Sequence, residues 1–347
     1  MNRHPRLASL TLISLVLVLL CGCGPSTSVD NYDSSGGSNS GSGGGGTLTG
    51  LGYTWETGVS GTTTGFRSIC FGNNRWIAVG NGSGSGEIGE SLDGKSWSLT
   101  QENSATYYSL DNVAYGNGTF VALSQLGILV STDGLSWSPG SVTSPDLSTY
   151  PQGLTASVYG NGLWVAVDNL FFTEEGWGIL TSTDGVSWNE TILSGSYAQP
   201  TAITYGNGTY VIVGYGGLLL TSPDGANWTN RSFTTGQAMT GVTYAGGKFV
   251  AVANNGQILT AADATGQWTA TSVSVNGFNA IGYGGGLFLA VGSVSGAQVY
   301  TSTDGANWTN ATSYLPSTIV SSSLNGAAYG NSAFVVAGDS GVVAVSP

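Results

Sequence analysis

Short aliphatic runs, separated by glycine-rich polar turns, recur down this chain from about residue 51 to its C-terminus. In one stretch they fall at residues 112–115, 120–123 and 128–131, with Trp137 opening a fourth. Alternation and β-branched content mark these runs as strands, and the Gly-Asn-Gly and Asp-Gly dipeptides between them mark the reversals. The pattern predicts a unit of four short strands, a to d, and the unit is written seven times. Strand a closes on Phe71, Tyr115, Tyr159, Tyr205, Tyr244, Tyr283 or Tyr329; five residues later strand b carries Trp76, Phe120, Trp164, Tyr210, Phe249, Phe288 or Phe334. A period of roughly 40 residues is the signature of a propeller or a solenoid.

Two further patterns choose between those architectures. Three positions before each opening aromatic the residue is small: Ser68, Asn112, Ala156, Ala202, Gly241, Ala280 and Gly326. Small side chains suit the innermost strand of a radial blade beside a central channel, a crowding that a solenoid does not impose. The ends of the chain are also complementary. The seventh copy stops at Pro347 after its third strand, whereas Gly52-Tyr53-Thr54-Trp55 stands at the start with no strands before it. We therefore expect an all-β, seven-bladed propeller over residues 51–347, closed by an N-terminal strand that completes the last blade and leaves no open edge.

Between strands c and d most copies read Ser-x-Asp-Gly-x-x-Trp, as in Ser131-Asp133-Gly134-Trp137 and Ser182-Asp184-Gly185-Trp188; the fifth keeps Asp263, Gly266 and Trp268 but has Ala261 for Ser. The Asp oxygens are suited to accept backbone N–H bonds within the turn, Gly supplies a positive φ, and the Trp buries a large surface between blades. This motif resembles the Asp-box, or BNR repeat, of sialidases, although most copies lack the residue that usually separates Asp from Gly. The longer unit is similar to repeats of bacterial surface propellers and, more distantly, to the photosystem II assembly-factor propellers. The resemblance implies a propeller and leaves activity open, because such boxes occur in enzymes and non-enzymes alike.

The N-terminus reads as a processing segment. Arg3 and Arg6 precede an apolar run at residues 10–20, too short for a comfortable membrane span. Leu20-Cys21-Gly22-Cys23 then resembles a bacterial lipobox, which implies cleavage after residue 22, lipid on Cys23 and, with Gly24 next, outer-membrane sorting in a Gram-negative cell. Residues 24–50 are almost all Gly, Ser, Thr and Asn, a flexible tether with a reach of about 30 Å. Cys21 leaves with the signal and Cys23 is taken by lipid, so Cys70 reads as a small core residue and no disulfide is expected.

Composition narrows the chemistry. The chain has 19 acidic residues and a formal net charge of −12. Past the signal the basic residues are Arg67, Arg75, Lys95, Arg231 and Lys248, too few for nucleic acid or an anionic membrane surface as a partner. The one histidine, His4, lies in the signal, which removes a His general base, a Ser-His triad and a His metal ligand from the mature chain. Each Asp turn brings a single carboxylate, short of the several oxygens that calcium gathers, so no metal and no cofactor is expected. Sialidase chemistry needs an arginine cluster, and two of the three arginines fall in one copy.

Binding is the favoured reading, with a protein or a carbohydrate as ligand and a monomer as the unit. In an up-and-down blade the b–c and d–a loops share one face, and these loops vary as binding loops on a rigid scaffold do. Trp177 is the one tryptophan the repeat leaves unexplained; it falls in the longest b–c insertion with Phe171, Phe172, Glu174 and Glu175. Tyr107, Tyr108, Tyr150, Tyr197, Tyr215 and Tyr314 are expected on the same face, where aromatic planes beside carboxylates suit a glycan or a protein. The alternative is a glycosidase or lyase working through a pair of carboxylates.

Overall fold

The computed structural model describes residues 50–82, 85–102, 107, 109–143, 153–168, 176–194, 198–233, 236–274, 277–293 and 296–347. Residues 1–49, which hold the expected signal, Cys23 and nearly all of the expected tether, lie outside them. Seven sheets form the blades of a propeller, each built on four antiparallel strands. Blade 1 consists of strands Gly65–Gly72, Arg75–Asn81, Gly86–Ser91 and Ser98–Glu102, and blade 2 of Leu110–Gly116, Thr119–Ser124, Gly127–Ser131 and Ser138–Pro139. Blade 3 runs through Leu154–Gly160, Leu163–Asp168, Gly176–Ser182 and Ser187–Ser194, and blade 4 through Pro200–Gly206, Thr209–Gly214, Leu219–Ser222 and Thr229–Asn230. Blade 5 comprises Met239–Ala245, Lys248–Ala253, Gln257–Ala261 and Thr269–Ser272; blade 6, Ala280–Gly284, Leu287–Ser293, Ala297–Ser302 and Thr309–Asn310.

Blade 7 closes the ring as the sequence predicts. Leu324–Gly330, Ala333–Gly338 and Val343–Ser346 supply strands a to c, and the N-terminal Glu56–Thr57 supplies strand d. Glu56 pairs with Val345 and Thr57 with Ala344. Trp55 is buried just ahead of this strand, and its Nε1 donates to the Gly52 carbonyl at 3.1 Å. Trp97, Trp188, Trp228 and Trp308 donate in the same way to Gly94, Gly185, Gly225 and Gly305. The N-terminal Gly-x-x-Trp is thus the seventh copy of the c–d turn, cut from its blade by the position of the chain ends.

The blades are joined by a contact that explains the aromatic-glycine pair. The Tyr159 side chain of blade 3 lies over Gly116 of blade 2, where an added Cβ would come within 2.3 Å of its Cβ and 2.7 Å of its ring. The same approach repeats for Tyr115 on Gly72, Tyr205 on Gly160, Tyr244 on Gly206, Tyr329 on Gly284 and Phe71 on Gly330. Blade 5 departs from the rule, with Ala245 in the glycine position. Within each blade the opening aromatic also meets the strand-b aromatic directly across the hairpin, as for Tyr115 and Phe120 at 4.6 Å between ring centroids. Glycine at this turn therefore serves blade-to-blade packing, where sequence alone suggests only a reversal.

Blade 3 gains a fifth strand that the repeat does not predict. Ser141–Thr143 leaves blade 2 and pairs in parallel with Ser187, Trp188 and Asn189. Pro139 has no N–H to continue the blade 2 ladder. After it, the Gly140 N–H still bonds Ile128 of blade 2, while the Ser141 N–H bonds Val186 of blade 3. Cys70 is fully buried among the core side chains.

Candidate binding site at the channel mouth

The six Asp turns sit at the a–b/c–d end of the propeller and are built as local caps. In blade 2, Asp133 Oδ1 accepts from the Leu135 and Ser136 N–H groups, both at 2.8 Å, while Ser131 Oγ donates to that oxygen and accepts from the Gly134 N–H. These bonds hold the Asp133 and Asp184 carboxyls below the usual range; the backbone bonds to Asn227 and Asn307 do the same for Asp224 and Asp304. Each such Asp is committed to its own turn. Among the described residues no group of three or more His, Cys, Asp or Glu side chains gathers at one place.

The other end is different. The central channel opens there as a funnel of about 390 Å³, lined by the start of strand a from every blade. Two rings form its wall. The inner ring is the set of small residues picked out from the sequence: Ser68, Asn112, Ala156, Ala202, Gly241, Ala280 and Gly326 all line the funnel. The outer ring is one residue earlier: Arg67, Asp111, Thr155, Thr201, Thr240, Asn279 and Asn325. Most of these outer positions are β-bulges, skipped by the pairing register, as between Leu110 and Asn112 or Met239 and Gly241. A bulge re-aims its side chain, which here turns to the mouth. No sequence periodicity marks this ring, because its residue types differ from blade to blade.

The outer ring also ties neighbouring blades together. Thr201 Oγ1 donates to the Met239 carbonyl of the next blade at 2.6 Å, and Thr240 Oγ1 to Phe278 at 2.8 Å. Asn279 Nδ2 donates to Leu324 at 2.9 Å, and Asn325 Nδ2 to Phe66 at 3.0 Å, so the belt crosses the closure seam. Arg67 extends it by an ion pair with Asp111 of blade 2, at 2.8 Å. Burial pushes the Asp111 carboxyl up, and the Arg67 charge pulls it back. Between blades 2 and 3 the bond moves inward, where Asn112 Oδ1 accepts from Ser157 N–H and hydroxyl. Thr155 turns instead to Gly153 of its own blade.

Arg67 is the one basic residue on the funnel wall. The other cations lie toward the Asp-turn end: Arg75 pairs with Glu90, Lys95 with Glu56, Lys248 bonds the Asp304 carbonyl and Arg231 the Thr265 carbonyl. The mouth therefore presents a mixed polar rim over a throat of mostly small side chains, a concave site of the kind ligands use.

The aromatic residues expected on this face are placed unevenly. Tyr215 is 51% exposed in the b–c turn of blade 4. Tyr107 is buried in a cluster with Ile88, Leu110 and Val113. Tyr314 packs edge-on against Tyr53 at 5.4 Å, beside the closing strand. Trp177 has its backbone in strand c of blade 3, paired with Leu193, so it belongs to a strand and not to a loop tip. Its side chain, and Phe171, Phe172, Glu174, Glu175, Tyr108, Tyr150 and Tyr197, lie outside the described residues.

A carboxylate pair does occur, away from the funnel. Asp168 Oδ2 and Glu190 Oε1 flank Gly178, within 2.7 and 2.5 Å of where its Cβ would be. The two oxygens are thus about 5 Å apart at most, close to the spacing of a retaining glycosidase pair. Asp168 is 6% exposed and accepts from the Gly178 N–H at 3.0 Å. Neither residue lines the mouth.

Comparisons with solved structures return the same architecture. YCF48 from Cyanidioschyzon merolae aligns at a TM-score of 0.61 and 20% identity over 84% of this chain and 98% of its own. YCF48 bound to D1 peptide aligns at 0.63 and 18%, over 86% and 99%. Virginiamycin B lyase from Staphylococcus aureus aligns at 0.68 and 14%, over 85% and 99%. At these identities the likeness is one of fold. No family model matches the chain, and no curated protein does.

Proposed function

We propose that this chain is a non-catalytic, lipid-anchored envelope protein whose propeller binds an extended segment of a partner protein at the channel mouth. The funnel carries this reading. All seven blades converge on it, its rim offers hydroxyl, amide, guanidinium and carboxylate groups, and its throat adds apolar surface from Ile69, Leu154 and Ile281. An extended peptide can use both, through its backbone groups and its side chains. A propeller of similar shape, YCF48, is bound to D1 peptide in one solved structure, which gives the peptide reading a precedent on this scaffold. With few exposed aromatics among the described residues of this face, a carbohydrate has fewer stacking planes to use.

The course of the chain supports the anchoring half of the proposal. Leu51 lies against the a–b turn of blade 6 at Gly285, so the chain enters the propeller at the Asp-turn end. A tether running from a lipidated Cys23 would hold that end toward the membrane and turn the mouth outward. The Asp168–Glu190 pair keeps the glycosidase reading as the alternative, but a nearly buried Asp168 outside the funnel gives a sugar no cleft.

The test is selection of displayed random peptides on the full-length chain in detergent, beside a glycan array. Capture of peptides by the wild type, lost in Thr155→Trp and kept in Leu135→Arg at the opposite end, is the expected result. Glycan binding with no peptide captured would overturn the protein reading. Cys23→Ala should abolish incorporation of radiolabelled fatty acid while Cys21→Ala keeps it; the reverse result would move the anchor.

A further inference from the structure

We propose that a second cavity, at the seam between blades 7 and 1, is a subsite for a protonated amino group, either the α-amine or a lysine of the segment held at the mouth. This rests on the peptide-binding reading above. The cavity has a volume of about 390 Å³ and is lined by Gly65, Arg67 and Asn81 of blade 1 and by Asn325 and Asp339 of blade 7. Arg67 and Asn325 also line the funnel, so the two spaces adjoin.

Its wall holds acceptors whose capacity is not filled. Asn81 Oδ1 is buried and accepts no hydrogen bond. An acceptor left without a donor in such a place costs free energy that a bound donor recovers. The Asp339 carboxylate accepts from Asn325 Nδ2 at 2.8 Å, which leaves most of its lone pairs open. Asn325 Oδ1 takes the Ser323 hydroxyl at 3.1 Å. The cationic donor on the wall, Arg67, is drawn toward blade 2 by Asp111.

Close contacts around its turn hold the carboxylate in place. Asp339 sits in the b–c turn of blade 7, where Ser340 adopts a left-handed conformation at φ 58° and ψ 29°. Gly341 follows at φ 69°, with the Thr62 carbonyl oxygen 2.1 Å from where its Cβ would be. Only glycine fits there, and the turn is pressed onto blade 1. Gly65 in turn leaves room for Asp339 Oδ1, 3.2 Å from its own missing Cβ.

The donor–acceptor balance selects the ligand. An ammonium brings three donors, no acceptor and a positive charge, which matches an unpaired amide oxygen beside a carboxylate. A sugar hydroxyl adds an acceptor that this wall does not need. A carboxylate would meet the Asp339 charge, and the Arg67 guanidinium is already engaged by Asp111. A calcium ion would find one carboxylate where it gathers several oxygens.

The experiment uses full-length protein in detergent, titrated with n-butylammonium, triglycine amide, N-acetyl-triglycine amide, butyrate and calcium chloride, and followed by calorimetry and by the Asn81 side-chain amide resonance. Both free amines should bind saturably and shift that resonance, with acetylation weakening the peptide at least tenfold. Asp339→Asn, an isosteric change at an exposed residue, should weaken amine binding about tenfold while leaving the melting temperature in place. Equal binding of the acetylated peptide, amine binding unchanged in Asp339→Asn, or saturation by butyrate or calcium in place of the amines would each overturn the subsite. The two proposals fail separately. Amine binding that needs Asp339, with no peptide ever captured, keeps the subsite and sinks the peptide-binding function. Peptides whose capture needs an open mouth but ignores acetylation and lysine content do the reverse.

Discussion

The two ends of this propeller obey different rules. At the Asp-turn end one construction is repeated: a Ser, an Asp and a Gly close the c–d turn, a Trp bonds back to the Gly carbonyl, and an aromatic ring covers the preceding blade's a–b glycine. At the mouth the corresponding positions carry arginine, aspartate, threonine and asparagine, and their bonds change partner from seam to seam. The lesson is a division of labour. A repeated local motif secures blade shape at one end, which frees the other end to vary residue by residue.

Breaking the ring should have the largest effect. Removing residues 51–58 deletes the pairing of Glu56 and Thr57 and the buried Trp55. Loss of a buried Trp alone costs about 3–5 kcal/mol, and the uncovered strand c of blade 7 adds an edge prone to association. Urea unfolding with size-exclusion chromatography would read both. A truncated chain with an unchanged midpoint would show that closure contributes nothing.

Next come the repeated glycines. Gly116→Ala puts a methyl into the Tyr159 ring and should cost about 1–3 kcal/mol by overpacking. Gly160→Ala and Gly206→Ala should cost the same, because the contact is the same. A spread wider than the measurement error in urea midpoints would break the claim that this end is uniform.

The mouth should show the opposite behaviour. Thr201→Val loses the bond to Met239 in the next blade and should cost about 0.5–1.5 kcal/mol. Thr155→Val loses only a bond within its own blade and should cost less. Equal values in the same unfolding series would mean that the belt is not what joins the blades.

The smallest effect is electrostatic and confined to acid. The turn Asp carboxyls titrate below their unfolded value of 3.8, since backbone N–H groups favour the charged form. A depressed folded value stabilises the protein above the unfolded value and is lost as pH falls through the folded one. Stability should therefore be flat above about pH 5 and decline below about pH 4, and Asp133→Asn should shallow that decline. Unfolding midpoints measured from pH 6 to pH 2 test this; an identical acid slope in the variant would remove the turn carboxyls from the account.

Much of the fold was legible from residues that repeat. The five-residue step from Tyr115 to Phe120, the Gly-x-x-Trp at Trp55 and the small residues from Ser68 to Gly326 each act within one blade or one turn, and each was found where periodicity put it. The outer ring was not legible. Thr155, Thr201 and Thr240 are ordinary surface residue types, and only the bulge before the inner ring turns them to the mouth. Tyr107 and Tyr314, read from sequence as loop aromatics, pack into clusters that distant segments complete.

The sequence by itself determined the blade and the number of blades, because those follow from turns and strand pairs a few residues apart, and the way they close, because the Gly-x-x-Trp missing from the last copy stands ahead of the first. Only the tertiary structure decided what meets at the mouth and at the seam. Asn81, Asn325 and Asp339 are up to 258 residues apart, and ring closure alone makes them neighbours. Local chemistry writes strands and turns; a binding surface is made by side chains that share no local rule and come together only when the first blade meets the last.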